Sequence, residues 1–575
     1  MPLFSDPSDL EEGARRFGAA FAAAAPALTR PAGDPVTELI AGGIGALGAT
    51  ILDRVNHVQR SAYEMIADRC CPSLRRPIPS ATIVAFDPPT SGRYVVPAQS
   101  ELRSVAIDGV RCVWRPVRPL VVSAFRVTSA QTDVRRGRLT VLRVAVESTG
   151  LEPINEAIAG GISLYVDGDF ETALQVVYAA TSEATAITVE ASNWAEALQI
   201  STSSVRRIGL EAASALAPDP DGRPATFSAF VDAAVCPDRF RFFRLSELAT
   251  IESAPPTQRV TISFHLRETS LLEARLRPND VRAHCAPLVN LFEADAEPLA
   301  IDPVGDAQTL RVAGLPRRAG GVYAISYGVA TARGGEHPPL PLPDVRRLAA
   351  APADPRCPLV FAASVRDAAD EDPDVTVTFG DRGPSQSYDG VRRVAAFRVL
   401  ATNRSLASRL RPGDLVGEIR TVEESLRYAN ITSASAYVPA PSGHLFAQRA
   451  LRAARIATGA HDPLAALRDA LFQSIPSWLG REEWIRAQTL RVCAFDRLEV
   501  GAVRRVGAEG AVRRGYGYRL VVDESAFRGP GDLALLGATL GEGLARAVPV
   551  GAFAELRLEG RRGTFSATFG TTLPA

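Results

Sequence analysis

The sequence predicts a β-rich, multidomain α+β protein, in which a helical N-terminal arm precedes several mainly antiparallel β domains with a few helices. Three observations support this fold class. Apolar residues recur at helical spacing before Pro72, whereas short β-branched runs separated by Gly, Pro and Asp follow Pro79. The length of 575 residues also exceeds what one hydrophobic core usually holds.

The arm is predicted over residues 1–75. Asp9 can cap a first helix, and Asp34 followed by Pro35 is a good start for a second. The apolar stripe of this arm needs a cover, either from the chain's own β domain or from a partner's helices, and the sequence leaves both open. The predicted protein-interaction residues are the apolar side chains of the arm: Phe17, Phe21, Ile44, Leu47, Ile51, Val55, Val58 and Met65.

After the arm, the sequence predicts three further domains over residues 76–255, 256–400 and 401–575. The first two are predicted to be β-rich and the third α+β, and the proline-rich runs at 217–224 and 338–343 are predicted boundaries or surface loops. Helices are predicted at Pro463–Ser474 and Leu533–Ala547. The clearest strand predictions are Thr82–Phe86, Leu139–Val146, Ile162–Val166, Val260–Phe264 and the alternating residues Val375, Val377 and Phe379.

The charge composition argues against two classes of partner. The 64 basic and 64 acidic residues balance, so the chain has no net field to hold a phosphate backbone or an anionic lipid surface. Every basic residue is arginine, which excludes mechanisms that need a P-loop or Schiff-base lysine. We therefore expect no nucleic acid and no direct membrane insertion.

The cysteine pattern indicates a reducing compartment. Seven cysteines are scattered along the chain without a C-x-x-C pair, which is typical of isolated buried thiols and not of a disulfide framework or zinc site. The apolar run near Phe21 follows acidic residues, the wrong charge for a signal peptide. The sequence predicts a cytoplasmic protein with no cofactor and no metal.

Three short motifs carry alternative interpretations. The run Gly43–Gly48 spells G-x-G-x-x-G and could belong to a nucleotide-binding enzyme, but no strand precedes it. The acidic run 367–374 is interpreted as a solvated loop because it lacks calcium-loop spacing. Arginines alternate with aromatics over residues 239–244, which could stack nucleic-acid bases. We favour a half-buried strand or turn whose aromatic side chains fill a core.

Several ordered blocks resemble the TssF family of type VI secretion baseplate subunits, which is also known as VasA or ImpG. The segment 74–80, LRRPIPS, is similar to the family's step from a helix into the first β region. The segment 164–169 is similar to a family hairpin. Further similar blocks are 236–243, 285–292 and 401–406, with sequences CPDRFRFF, CAPLVNLF and ATNRSL. The block 285–292 is the most specific of the set, whereas 401–406 departs from the family pattern at both ends.

The resemblance implies a structural protein without catalytic residues. It implies a baseplate wedge in which two copies of this chain assemble with one TssG-like subunit. TssK-like adaptors, a TssE-like subunit and spike-hub components are the further partners implied, and the location implied is the inner face of the cell envelope. The alternatives are a β-sandwich ligand-binding module and the nucleotide-binding enzyme described above.

Overall fold

From Arg76 onward the chain forms short sheets whose strands alternate buried and exposed side chains. The predicted arm over residues 1–75 lies outside the described residues. All described residues belong to one compact unit made of Cys71–Ser442 and Arg449–Ala575. A computed structural model describes residues 76–135, 138–218, 226–267, 275–302, 306–332, 338–345, 359–366, 373–381, 391–420, 425–440, 462–475, 483–506, 512–549 and 551–570.

The described chain begins with a β-rich stretch that contains three α-helices. Its elements in order are β1 (Ala81–Phe86), β2 (Arg93–Val96), β3 (Leu102–Ile107), β4 (Val110–Pro116), β5 (Leu120–Ser123), β6 (Phe125–Arg135), β7 (Arg138–Ser148), α1 (Ile154–Ile158), β8 (Ile162–Val166), α2 (Phe170–Tyr178), β9 (Ala184–Glu190), β10 (Leu198–Ile200), β11 (Val205–Arg207), α3 (Ser228–Val235), β12 (Phe242–Leu245) and β13 (Arg259–Leu266).

The middle of the described chain consists of strands joined by turns and short 3-10 segments. These strands are β14 (Val281–Ala283), β15 (Cys285–Val289), β16 (Phe292–Asp295), β17 (Leu299–Ala300), β18 (Gln308–Thr309), β19 (Gly321–Ala332), β20 (Leu340–Leu342), β21 (Leu359–Arg366), β22 (Asp374–Asp381) and β23 (Arg393–Thr402).

Helices return in the last part of the chain. Its elements are β24 (Val416–Arg420), β25 (Ser425–Asn430), α4 (Pro463–Ser474), α5 (Glu483–Cys493), β26 (Phe495–Val506), β27 (Val512–Val522), α6 (Pro530–Ala547), β28 (Phe553–Gly560) and β29 (Ser566–Gly570). None of the helices in the described ranges is both long enough and apolar enough to cross a lipid bilayer.

Strands far apart in sequence share one sheet. The six-stranded sheet has the order β24-β25-β1-β15-β4-β3. Its strand β1 pairs with β15 on one side, with Ile83 opposite Pro287, and with β25 on the other, with Val84 opposite Asn430. Strand β16, which follows β15, pairs antiparallel with β23 and places Phe292 opposite Ala401. This pairing brings the residues between β15 and β16 close to those that follow β23.

The other sheets are antiparallel, apart from the pair β27 and β28. That pair is connected through α6, as a parallel crossover requires. The orders are β10-β9-β13-β7-β6, β11-β12-β8-β14, β16-β23-β19-β20 with β17 on β23, β18-β22-β21, β2-β5 and β26-β27-β28-β29.

One core cluster joins the sheet around β7, β9 and β13 to the C-terminal helices and strands. Helix α6 packs on α2 and on β28 and β29. A Cβ at Gly531 would meet the backbone of Leu174, and one at Gly537 would meet the ring of Phe569. These glycines therefore allow α6 to approach its neighbours closely.

Several predicted elements are confirmed. Helix α4 has the predicted bounds, because Asp462 accepts a hydrogen bond from the Ala465 N–H at 3.0 Å and Pro463 occupies the first turn. Strand β8 also has the predicted bounds. Helix α6 begins three residues before the predicted start, at Pro530, after Gly529 with a φ of 114°. The β-rich α+β class with several antiparallel sheets is confirmed for the described part of the chain.

Three expectations were wrong. Residues 164–169 are not a hairpin, because Asp169 caps α2 by accepting from the Thr172 N–H at 2.8 Å. Part of the proline-rich run 338–343 is the edge strand β20, where Pro341 loses no interior hydrogen bond. Cys493 is exposed, whereas Cys112, Cys236 and Cys285 are buried as expected.

Candidate interaction sites

The predicted interaction residues of the arm, Phe17, Phe21, Ile44, Leu47, Ile51, Val55, Val58 and Met65, lie outside the described residues, as does the glycine run 43–48. The structure therefore neither places nor joins them. The described residues hold two other kinds of candidate site. One kind is a set of buried polar clusters formed by the quoted sequence blocks, and the other is an exposed C-terminal hairpin.

The alternating block 239–244 is buried. Phe240, Phe242 and Phe243 are at most 2% exposed, so their rings cannot stack on bases. Phe243 packs edge-on against Phe264 with ring centroids 5.8 Å apart. The nucleic-acid interpretation of this block is therefore wrong, and the interpretation as a strand or turn whose aromatics fill a core is confirmed. The block combines the end of a 3-10 segment, Pro237–Phe240, with the start of strand β12.

Arg239 in that block forms a buried ion pair with Asp232 of α3. The two side chains are 1% and 3% exposed. The Arg239 guanidinium also donates to the carbonyls of Gly209, at 2.7 Å, and Ser214. Burial raises the pKa of Asp232, while the guanidinium opposes that change. Asp232 additionally accepts from the Leu216 N–H at 3.1 Å, so the pair fixes the segment 209–216 against α3.

A second polar cluster joins two of the resembling blocks. The side-chain oxygen of Asn290 accepts from the Asn403 N–H at 2.7 Å and from the Thr402 hydroxyl at 2.8 Å. Its amide nitrogen donates to the Val113 carbonyl and to the Asn403 side-chain oxygen, each at 2.8 Å. Asn290 is fully buried, yet all four of its hydrogen-bonding positions are used.

Asn403 extends the same cluster. Its side-chain oxygen also accepts from the Val113 N–H at 2.9 Å, and its amide donates to the Ala319 carbonyl at 3.0 Å. Asn290 follows β15, Asn403 follows β23, and Val113 lies in β4. The cluster therefore locks three segments that are distant in sequence into one arrangement. Sequence reasoning quoted both blocks but assigned these asparagines no role, although polar residues at the ends of apolar strands were a usable signal.

His284 is a third buried polar group, located between β14 and β15. Its Nε2 lies 2.8 Å from the Phe125 carbonyl, and its ring packs on Phe125 at a centroid distance of 4.5 Å. Burial lowers the pKa of His284 from 6.5 to about 4, although the carbonyls of Phe125 and Val121 favour the protonated ring. The side chain is therefore neutral in the folded protein at neutral pH.

The described residues offer little chemistry for catalysis. Within them, no group of three His, Cys, Asp or Glu side chains could hold a metal ion. Burial raises the pKa of Cys236 and of Cys285 to about 12, so these thiols are not nucleophiles at neutral pH. The described sites suit structural roles better than reactive ones.

A shallow groove of about 420 Å³ lies on the C-terminal sheet. Gly501 and Gly517, which are opposite each other on β26 and β27, are among its lining residues. The Arg519 guanidinium on the same sheet is 2.8 Å from Glu559 and 3.4 Å from Glu499. The two carboxylates that line the groove, Glu499 and Glu555, are each ion-paired, with Arg519 and Arg505 respectively.

The comparisons with known proteins agree with the fold. The family model described as "Type VI secretion system, TssF" matches residues 8–568. A chain of the cryo-electron microscopy structure of a type VI secretion system TssK-TssF-TssG baseplate subcomplex is similar with a TM-score of 0.76, at 18% identity over 94% of this chain and 99% of that one. No curated protein sequence matches significantly.

A second solved structure, the baseplate complex from the type VI secretion system, contains a chain with a TM-score of 0.55 and 15% identity, over 99% of this chain and 100% of that one. At these identities the two structures support the fold, whereas the family match covers almost the whole sequence. The resemblance inferred from the ordered blocks is confirmed, and with it the expectation of a structural protein and not an enzyme. This chain belongs to the TssF family of type VI secretion system baseplate components.

Proposed function

We propose that the chain is a wedge subunit of a type VI secretion baseplate, in which two copies assemble with one TssG-like subunit. The observation that carries this proposal is the family match over residues 8–568. Further support is the similarity to a chain from a TssK-TssF-TssG subcomplex over 99% of that chain's length. TssK-like, TssE-like and spike-hub components are the further partners in this proposal, and the location is the cytoplasmic face of the envelope.

The arm is the proposed contact with the TssG-like subunit. Its apolar stripe, which includes Ile51 and Val58, has helical spacing. Helices of a partner would cover such a stripe in a shared bundle. The polar residues of the same predicted helix, such as Gln59, fall on the other face and provide a matched control.

The proposed domain boundaries near residues 75, 255 and 400 follow from sequence pattern. Strands β1, β3 and β4 share one sheet with β15 and with β24 and β25, so this sheet spans the proposed boundaries near 255 and 400. Cooperative unfolding across these two boundaries is consequently expected, and limited proteolysis followed by mass spectrometry of the fragments would test it.

The test of the proposed function is co-expression with the TssG-like neighbour, followed by size-exclusion chromatography with light scattering. We expect a stable complex whose mass equals two copies of this chain and one partner. Ile51→Asp and Val58→Asp should each prevent the complex, because a carboxylate would be buried in the bundle. Gln59→Asp should leave its mass unchanged. If the chain remained monomeric and did not bind the TssG-like protein, the wedge role would be contradicted.

If the complex formed equally well with all three variants, the wedge role would stand and the arm would not be the contact. The stoichiometry is a separate outcome, because a mass equal to one copy of each protein would contradict only the two-to-one ratio. The experiment thus separates assembly, contact surface and copy number.

A further inference from the structure

The β26–β27 hairpin leaves the core halfway along its length. Phe495, Leu498, Leu520 and Val522 are buried at its base, at most 8% exposed. Beyond Leu498 every described residue of β26 except Val503 is exposed. β26 is also the terminal strand of the four-stranded sheet in the described part of the chain. Its outer edge therefore presents backbone N–H and C=O groups that another strand can pair with.

One face of the outer hairpin combines apolar and basic side chains. The pairing places Val500 opposite Tyr518, Ala502 opposite Tyr516, Arg504 opposite Arg514, and Val506 opposite Val512. Opposed residues on paired strands share a face. Val506 and Val512 are 72% and 62% exposed, and Val500 and Tyr516 are 43% and 40% exposed. This face, which we call the Arg504 face, is an exposed apolar surface with two guanidinium groups inside it.

The arginines of the hairpin repel one another. Arg504 lies opposite Arg514, and Arg505 lies opposite Arg513, so two like-charge pairs occur side by side. Like charges directly opposite on a sheet are destabilising. Among the described residues, Arg505 reaches Glu555 at 2.6 Å, whereas Arg504, Arg513 and Arg514 form no ion pair. An anionic group bound at the Arg504 face would relieve the repulsion there.

The local charge also differs from that of the whole chain. β26 and β27 carry six arginines and two acidic residues, a net charge of +4 in a protein whose total is zero. This local excess supplies the electrostatic complement for an acidic partner.

We propose that the Arg504 face and the free edge of β26 dock an extended acidic segment of a partner protein. The segment adds a strand to β26, places apolar side chains over Val500, Ala502 and Val506, and places one carboxylate at Arg504 and Arg514. This surface uses no residue of the predicted arm. Its failure and the failure of the wedge proposal are therefore independent.

A protein partner fits these residues better than nucleic acid or a membrane does. Arginine and tyrosine beside apolar residues are the composition enriched in protein interfaces. Phosphate backbones would gain nothing from the exposed Val506 and Val512. Insertion into a bilayer would bury Arg504 and Arg514 between apolar residues, which is costly. The free strand edge adds backbone hydrogen bonds that only a polypeptide provides in register.

The probe is a labelled peptide, TVTETVTVT, whose antiparallel pairing places its glutamate opposite Arg504 and its valines opposite Val500, Ala502 and Val506. Its binding to the full chain is measured by fluorescence anisotropy. A matched peptide, TVTQTVTVT, replaces the carboxylate with an amide. We expect the glutamate peptide to bind about tenfold more tightly, as a charge-assisted contact predicts.

Two double variants separate the faces of the hairpin. Arg504→Gln with Arg514→Gln should weaken binding of the glutamate peptide about tenfold and remove the preference over the glutamine peptide. Arg505→Gln with Arg513→Gln removes the same charge on the opposite face and should change binding less than about twofold. Hydrogen exchange of β26 should slow on binding, because its edge amides gain partners.

Four outcomes would overturn the proposal. The first is equal binding of the two peptides, and the second is equal weakening by the two double variants, which would indicate only general attraction to a basic surface. The third is preferential binding of phosphatidylserine vesicles or duplex DNA that is lost in Arg504→Gln with Arg514→Gln. Failure to bind the glutamate peptide at millimolar concentration would count equally against it.

Discussion

The Asn290–Asn403 cluster and the outer β26–β27 hairpin are both rich in polar groups, but they meet opposite conditions. Asn290 and Asn403 are fully buried, and strands from three parts of the chain satisfy their amides. Arg504 and Arg514 are exposed, face each other and have no ion-pair partner among the described residues. A buried polar group needs a hydrogen-bond or ion-pair partner within the protein, whereas an exposed one is hydrated by water and remains available to a binding partner. The first region therefore fixes the fold, and the second is available for binding.

The buried ion pair between Arg239 and Asp232 should give the greatest loss of stability on substitution. Arg239→Met should destabilise the chain by about 3–5 kcal/mol, because it leaves the Asp232 carboxylate buried without its guanidinium. The midpoint of urea denaturation measures this loss. The matched control is Arg519→Met, which removes the ion pairs of a guanidinium that is about half exposed and should leave the midpoint unchanged. Similar shifts for the two variants would show that burial does not distinguish them.

Asn290→Leu should cost about 3 kcal/mol or more. Leucine matches asparagine in size but leaves the Val113 carbonyl, the Asn403 N–H and the Thr402 hydroxyl buried without their partner. The control Asn193→Leu replaces an exposed asparagine that donates to the Pro256 carbonyl at 2.9 Å. Urea denaturation followed by circular dichroism should give the two variants clearly different midpoints. An unchanged midpoint for Asn290→Leu would mean that the cluster does not hold the strands together.

A more modest loss of stability is expected at acidic pH, from the buried histidine His284. The folded pKa of His284 is about 4, below its value of 6.5 in the unfolded chain, so the unfolded chain binds the proton first. This histidine's contribution is fully present above its unfolded pKa and is lost as pH falls toward its folded pKa. Lowering the pH from about 7.5 to about 5 should therefore remove about 2 kcal/mol of stability.

The comparison variant is His284→Asn, since asparagine tolerates the positive backbone φ of 55° at this position. Its denaturation midpoint should depend less on pH in that window than the midpoint of the wild-type chain. His265→Asn, on β13, provides the control and should keep the wild-type dependence. If the wild type and His284→Asn had parallel pH profiles, other groups would account for the acid sensitivity.

Local sequence patterns predicted the bounds of individual helices and strands better than they predicted which elements pack together. The bounds of α4 follow from Asp462 and Pro463, whose effects act within one helical turn. The hairpin that the family resemblance implied at 164–169 was wrong, because the strand ends at Val166 and Asp169 caps α2. The edge strand β20 was missed because proline usually marks loops, and only its position at a sheet edge makes Pro341 acceptable.

For the candidate sites too, the sequence identified residues but did not reveal their contacts. The ordered blocks identified the family, and they contain Asn290, Asn403 and Arg239. Asn290, for example, bonds to Asn403 and Val113, which each lie more than 100 residues away in the sequence. Periodicity does not reveal such distances. The sequence pattern also did not predict the like-charge arginine pairs of the hairpin, because they depend on the register between β26 and β27.

The fold class, the absence of lysine-dependent chemistry, many element positions and the family could be inferred from residue order, because periodicity, capping and ordered motifs are local properties of the chain. The three-dimensional arrangement was needed to show that β1 lies between β15 and β25, that Arg239 is buried against Asp232, and that the outer hairpin stays exposed. The physical reason is that burial and charge pairing depend on which distant segments meet, and that is settled by the packing of the whole chain.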